Sequence, residues 1–153
     1  VPIPLAAFAR WFDRTGAPEL GSFLKSTATV PGVVRSEPPM GVWRDPGDRR
    51  KLIFVDGASV LEQILDKGPR NMRVEMWDLE NKTGRYIAYA VENFALSETP
   101  TGTRVTWITD FEPKVQPPDG WMIRSYVGED YRDFMQRGLN AMALRAISDL
   151  GLR

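Results

Sequence analysis

The side chains here that can move a proton are carboxylates, phenols, lysines and arginines, because the 153 residues include neither histidine nor cysteine. That absence removes Ser-His triads, thiolate nucleophiles, Cys/His zinc sites and His-ligated haem. No metal is expected on these grounds. No cofactor is expected either, since no glycine-rich loop follows a strand and opens a helix to hold a nucleotide. Three carboxylates stand in apolar company: Glu62 between Val60 and Ile64, Glu92 between Ala90 and Phe94, and Asp78 continuing the alternating series Met72, Val74, Met76. Turned inward, such a carboxyl has its pKa raised by desolvation and can donate a proton or bind the polar end of a ligand. Turned outward, it is solvated or pairs with Arg50, Arg73 or Arg104 across a sheet. The phenols are Tyr86, Tyr89, Tyr126 and Tyr131. Tyr131 is the best placed of them, on an apolar helical stripe, where its hydroxyl serves either a ligand carbonyl or hydroxyl, or the rim of an ordinary core.

Positioning Tyr131 falls to the only long helix-period segment, Gly120 to Leu150. Apolar residues recur there at Val127, Tyr131, Met135, Leu139, Met142, Ala146 and Leu150, in steps of three and four that draw one stripe. Pro117-Pro118-Asp119 supplies a break and an N-cap, and Gly151 the stop. Gly128 and Gly138 each cost ~1 kcal/mol against alanine in an exposed helix, so a kink, a close contact or an opening is expected at each.

Positioning the carboxylates falls to strands. After Gly41 the period switches to two, with strands expected over Gly41 to Arg44, Arg49 to Val55, Ser59 to Asp66, Arg70 to Asp78, Tyr86 to Leu96 and Thr103 to Glu112, and Val1-Pro2-Ile3 as the stub of a seventh. Asp56-Gly57 is the strongest hairpin signal and reads as a type I′ turn. Met72, Val74 and Met76 share one face, as do Val105, Trp107, Thr109 and Phe111. Two short helices come first, one carrying Leu5, Phe8 and Phe12, the other over Glu19 to Leu24, and Lys25 to Met40 reads as a loop over a rim.

A chain of this length that is 42% hydrophobic and 26% charged is expected to fold as one domain over residues 1–153, with a substantial core. Twenty basic residues balance twenty acidic ones, which argues against a phosphate-driven nucleic-acid binder. No apolar run approaches the ~20 residues of a membrane span, and the cytoplasm is the default expectation.

A short helical pair, a meander of about six strands and a long C-terminal helix follow the order of the helix-grip fold. Locally, Pro31-Gly32-Val33, Val42-Trp43 with Pro46-Gly47 and Arg49-Arg50, Asp56-Gly57 with Glu62, and Phe111-Glu112-Pro113-Lys114 carry the likeness. The chain resembles the polyketide cyclase/dehydrase and lipid-transport type of the START and Bet v 1-like (SRPBCC) superfamily. The resemblance implies an α+β fold, a curved antiparallel sheet of six or seven strands wrapped around the C-terminal helix, with a hydrophobic small molecule held between them. No catalytic residue common to the superfamily carries over, and fold alone does not assign function.

Met72, Val74, Met76, Trp107, Phe111, Tyr131, Met135, Leu139 and Met142 are the expected lining of that space, and the same set would equally serve as a packed core. Three functions compete. One is a binder of a lipid or polyketide-like molecule; another is a cyclase, aromatase or dehydratase in which one of Glu62, Asp78, Glu92 and Tyr131 moves a proton. The third is an interaction module using an apolar loop around Val30 to Met40. Two polar groups converging in a cavity favour the second, and a filled core with a flat apolar patch favours the third.

Overall fold

The computed structural model describes residues 1–114 and 120–151 of the chain. Its frame is a six-stranded antiparallel sheet in simple meander order: β1 (Val33–Met40), β2 (Arg49–Phe54), β3 (Ser59–Gly68), β4 (Asn71–Trp77), β5 (Ile87–Thr99) and β6 (Gly102–Pro113). α1 (Leu5–Trp11), continued by a π-helical turn over Phe12–Gly16, and the single-turn α2 (Leu20–Phe23) precede it. After the sheet one helical run crosses the concave face: α3 (Gly120–Ser125), a π-helical segment (Tyr126–Tyr131) and α4 (Arg132–Asp149). This is the α+β helix-grip architecture.

Period-two patterning explains the inner face. Val60, Glu62 and Ile64 of β3, Met72, Val74 and Met76 of β4, and Ala90, Glu92, Phe94 and Leu96 of β5 are all buried, each alternating with a more exposed neighbour. They pack under the helical run and α1, whose Trp11 indole N–H donates to Asp149 Oδ2 at 2.9 Å and ties the first helix to the last turn of α4.

The strand count is six because two expected strands are absent and one stands where a loop was expected. Val1-Pro2-Ile3 forms no strand, although the Val1 amine donates to Thr103 O at 2.8 Å and the Thr103 hydroxyl to Ile3 O at 2.7 Å. Gly41 to Arg44 is a loop, since Gly41 and Trp43 adopt φ of +76° and +57° and cannot continue a ladder. The strand lies earlier, at β1, inside the expected rim loop. β1 is at the sheet's edge, the position that tolerates prolines such as Pro38 and Pro39, which have no N–H to donate. The Asp56-Gly57 hairpin is present, but only Gly57 has positive φ, +83°, and the Gly57 N–H donates to Phe54 O at 3.0 Å. That is a three-residue loop ending in a left-handed glycine rather than a type I′ turn.

The helical run corrects the expected stripe. In α4 the buried residues are Phe134, Gly138, Met142 and Ala146, spaced by four, while Met135 and Leu139 flank them half-buried and Leu150 is exposed. Gly138 explains the difference: a Cβ there would meet Leu24 Cδ2 at 2.7 Å, so the backbone of α4 presses directly on the end of α2. A glycine adds nothing to a hydrophobic pattern, yet it marks the closest approach. Gly128 lies in open space within the π-helical segment, the opening expected there. Gly151 ends the helix at φ +66°. The expected break and N-cap at Pro117-Pro118-Asp119 lie outside the described residues. No described helix is long and apolar enough to cross a membrane.

Candidate functional site

The concave face and the helical run enclose a cavity. Met76, Ile87, Trp107 and Phe111 of the sheet, Tyr126, Tyr131 and Phe134 of the helix, and Leu20, Leu24 and Val30 from the N-terminal connection form its apolar walls, and Glu62 and Glu92 are its carboxyls. The π-helical turn matters here. Its i→i+5 bonding adds a residue to the turn, so residues five apart come to lie on nearly the same side. Tyr126 and Tyr131 therefore both reach the cavity, with ring centroids 6.3 Å apart, and Tyr131 meets Phe111 edge-on at 5.1 Å. The cavity's volume is about 30 Å³, far below the ~300–1,000 Å³ of ligand sites, so in this conformation it admits a few waters. Tyr126 also lines a shallower depression of about 290 Å³ with Lys82, Arg85, Tyr86 and Ile123.

Two buried carboxyls stand at the cavity in different company. Glu62 and Arg50 are direct cross-strand partners, each 2% exposed, and form an ion pair. Arg50 is otherwise committed: Nη1 donates to Ala17 O and Pro18 O, both at 3.2 Å, and the guanidinium lies 3.9 Å over the Trp43 ring. Glu92, also 2% exposed, has no such partner among the described residues. Burial foremost, then the nearby Glu62 charge, push its pKa up to about 8, against smaller opposing effects of Arg50, Tyr131 and Trp107. The Tyr131 hydroxyl donates to Glu92 Oε1 at 3.4 Å, a long bond. Tyr131 is half-buried as a residue, but its hydroxyl end is inside, and burial followed by the Glu92 charge holds its pKa well above the usual phenol value. Tyr126 is pushed up to about 12 by burial and by Asp130 and Asp56. Trp107 Nε1 is buried with no partner in good hydrogen-bond geometry among the described residues, although it lies near enough to Glu92 to favour the ionised form slightly. Below pH 8 the arrangement thus offers hydrogen-bond donors in an apolar space, together with one carboxyl able to exchange a proton near neutrality.

Of the candidates read from sequence, the structure brings Glu62, Glu92, Met76, Trp107, Phe111 and Tyr131 to this cavity. Met72, Val74 and Met142 are buried in the core and are not among its lining. Met135 instead accepts from the Thr109 hydroxyl at 3.5 Å, and Leu139 lines an outer groove beside Val1 and Thr99. Asp78 is exposed: β4 ends at Trp77, and the positive φ of Asp78, +51°, breaks the alternation so that Leu79 takes the inward place. In the stretch from Val30 to Met40, Val30 and Val33 are buried and Val34 is exposed. Sequence reasoning missed Phe134 and ranked Tyr126 below Tyr131; Phe134 was legible as the start of a four-residue spacing through Gly138, Met142 and Ala146. Among the described residues no three carboxylates group as a metal cage.

The sequence matches no protein-family model and no curated protein. Among solved structures the likeness spans nearly the whole chain. Ara h 8.0201 superposes with a TM-score of 0.72 at 16% identity, covering 96% of this chain and 92% of that one. A point mutant of norcoclaurine synthase from Thalictrum flavum, in complex with a transition-state analogue, gives 0.66 at 16% identity over 97% and 90%. A protein from Thermus thermophilus gives 0.64 at 16% over 97% and 93%. At such identities the shared property is the fold, here the Bet v 1-like helix-grip fold.

Proposed function

With that fold as premise, we propose that the chain binds an apolar small molecule, lipid or polyketide-like, in the cavity between the sheet and the Tyr126–Phe134 stretch. The observation that carries this reading is the wall itself: aromatic and aliphatic side chains from every layer converge on a space with few polar groups, of which Glu92 and Tyr131 meet each other. Occupation requires the lining to part, because the open space holds only a few waters. The parting is supported by the π-helical turn, where Gly128 faces open space, and by Met76, whose unbranched side chain adapts to irregular shapes.

A second reading is favoured by one specific observation. A carboxyl that exchanges its proton near pH 8, beside a tyrosine hydroxyl in a shielded cavity, has the attributes of a general acid or base, and one fold neighbour, norcoclaurine synthase, is by its name an enzyme. In this chain Glu92 would exchange the proton and Tyr131 would orient the reacting oxygen. A panel of fatty acids, sterols, flavonoids and polycyclic aromatic ketones, followed by tryptophan emission and thermal melting, tests the first reading. At least one compound should bind in the micromolar range, with a fluorescence change much reduced in Trp107→Phe. No stabilisation by any of them would sink it. Product analysis with any ligand found, comparing the parent with Glu92→Gln, decides whether the bound molecule is also transformed.

A further inference from the structure

Resting on the cavity reading, we infer that its polar end is built to hold a neutral hydrogen-bond-accepting oxygen of the ligand, a carbonyl above all, between Trp107 Nε1, the Tyr131 hydroxyl and the Glu92 carboxyl. Trp107 Nε1 carries the argument: it is a donor only, it is buried, its residue lines the cavity, and among the described residues none accepts from it in good geometry, Glu92 being the neighbouring acceptor. An orphaned buried N–H is uncommon; Trp43 Nε1 is a second one here, outside the cavity lining, and of the two only the one on Trp107 belongs to a residue that the cavity can supply with a partner. The Tyr131 hydroxyl is only loosely engaged, at 3.4 Å from Glu92 Oε1, so it can turn to a better acceptor. Glu92 keeps its proton below about pH 8 and presents a third donor.

The charged groups facing this point from the packed elements exclude the alternatives. From β2 and β3 come Arg50 and Glu62, and each is taken up by the other; Arg50 also serves Ala17 O, Pro18 O and the Trp43 ring. An anionic ligand would therefore find no free cation and would sit near Glu62. An ammonium ligand has donors only and would leave Trp107 Nε1 unpaired. A neutral carbonyl oxygen has two lone pairs, which suit two of the three donors.

The probes are three molecules of one skeleton: 1-tetralone, tetralin and protonated 1-aminotetralin, titrated at pH 6.5 while methionine-methyl NMR follows Met76, which lines the cavity. The ketone should bind at least about tenfold more tightly than the hydrocarbon, the cost of leaving a buried donor unmet. That ratio should fall several-fold in Trp107→Phe and, independently, in Tyr131→Phe, so that a folding failure of one variant leaves the other informative. It should also shrink at pH 9.5, where Glu92 has lost its proton. Ketone and hydrocarbon binding within threefold of each other, tighter binding of the amine, or a ratio unmoved by both substitutions overturns the inference while leaving the cavity reading intact. Failure of all three probes to shift Met76 counts against the cavity reading, and the inference falls with it.

Discussion

Placing Glu92 in an apolar wall without a counterion links its ionisation to folding. Its pKa is 4.5 for an ordinary glutamate in water and about 8 in the folded chain, so between those values the folded state binds more protons than the unfolded. The sign follows: stability is greatest at the acid end of that window and declines as pH rises through 8, where a bare carboxylate must be kept in the core. Melting of the parent should therefore fall from pH 6 to pH 9, whereas Glu92→Gln should melt almost independently of pH and exceed the parent at pH 9. The chain has no histidine or cysteine to titrate in the same window, and the difference between the parent and Glu92→Gln isolates the share that belongs to Glu92. A flat parent profile would show that Glu92 is not held as described. The neighbouring ion pair makes the opposite case. Removing one partner strands a buried charge, so Arg50→Met should cost ~3–5 kcal/mol in chemical denaturation, and adding Glu62→Leu should restore a large part of it. The restoration stays incomplete because Ala17 O and Pro18 O also lose their donor. Equal stability of the single and double variants would refute the pairing as the source of the cost. At this scale apolar neighbours two residues away marked Glu62 and Glu92 as candidates, but both faces of their strands carry apolar residues, so the pattern left open which way they point. It misled at Asp78, because a backbone reversal leaves no trace in an apolar-polar pattern.

Among elements, burial decides which face of α4 holds the protein together. Phe134 and Met142 are enclosed, whereas Leu139 opens onto a surface groove. Phe134→Ala should cost ~3–5 kcal/mol and Met142→Ala ~2–5 kcal/mol, with Leu139→Ala clearly below both. Denaturant melts of the three variants check the order, and a Leu139→Ala loss as large as that of Phe134→Ala would return the buried face to the line first expected from sequence. Most of the meander was legible, since turn residues and alternation fix β2 to β6 to within a few positions. β1 was not, because its prolines read as loop and only its edge position makes them acceptable. The helix was legible in extent but not in phase. Leu139 outranks Gly138 on any hydrophobic scale, while packing against Leu24 selects the residue with no side chain. Nor does an apolar pattern show the π-helical turn that brings Tyr126 and Tyr131 together, since its cause is hydrogen bonding along the backbone.

For the molecule as a whole, a cavity that admits only a few waters makes ligand binding and stability two readings of one equilibrium. Trp107, Phe111 and Phe134 pack around the space, and Phe94 stacks on Trp107 behind it. A ligand that enters must separate these contacts and replace them with its own apolar surface. Because it binds the folded chain alone, it should add ~2.7 kcal/mol when free at a hundred times its dissociation constant. For a chain of this length that corresponds to a melting shift of roughly 5–11 °C. Burial of apolar surface should also appear as a negative heat-capacity change on binding, a more robust marker than the sign of the enthalpy. Hydrogen exchange should then localise the effect: protection should increase in the Tyr126–Tyr131 turn and around Leu20 and Leu24, which line the space, while the outer groove beside Leu139 stays unchanged. A ligand that stabilises the chain but protects only the outer groove would place binding outside the sheet–helix interior, and the function would have to be sought on that surface instead.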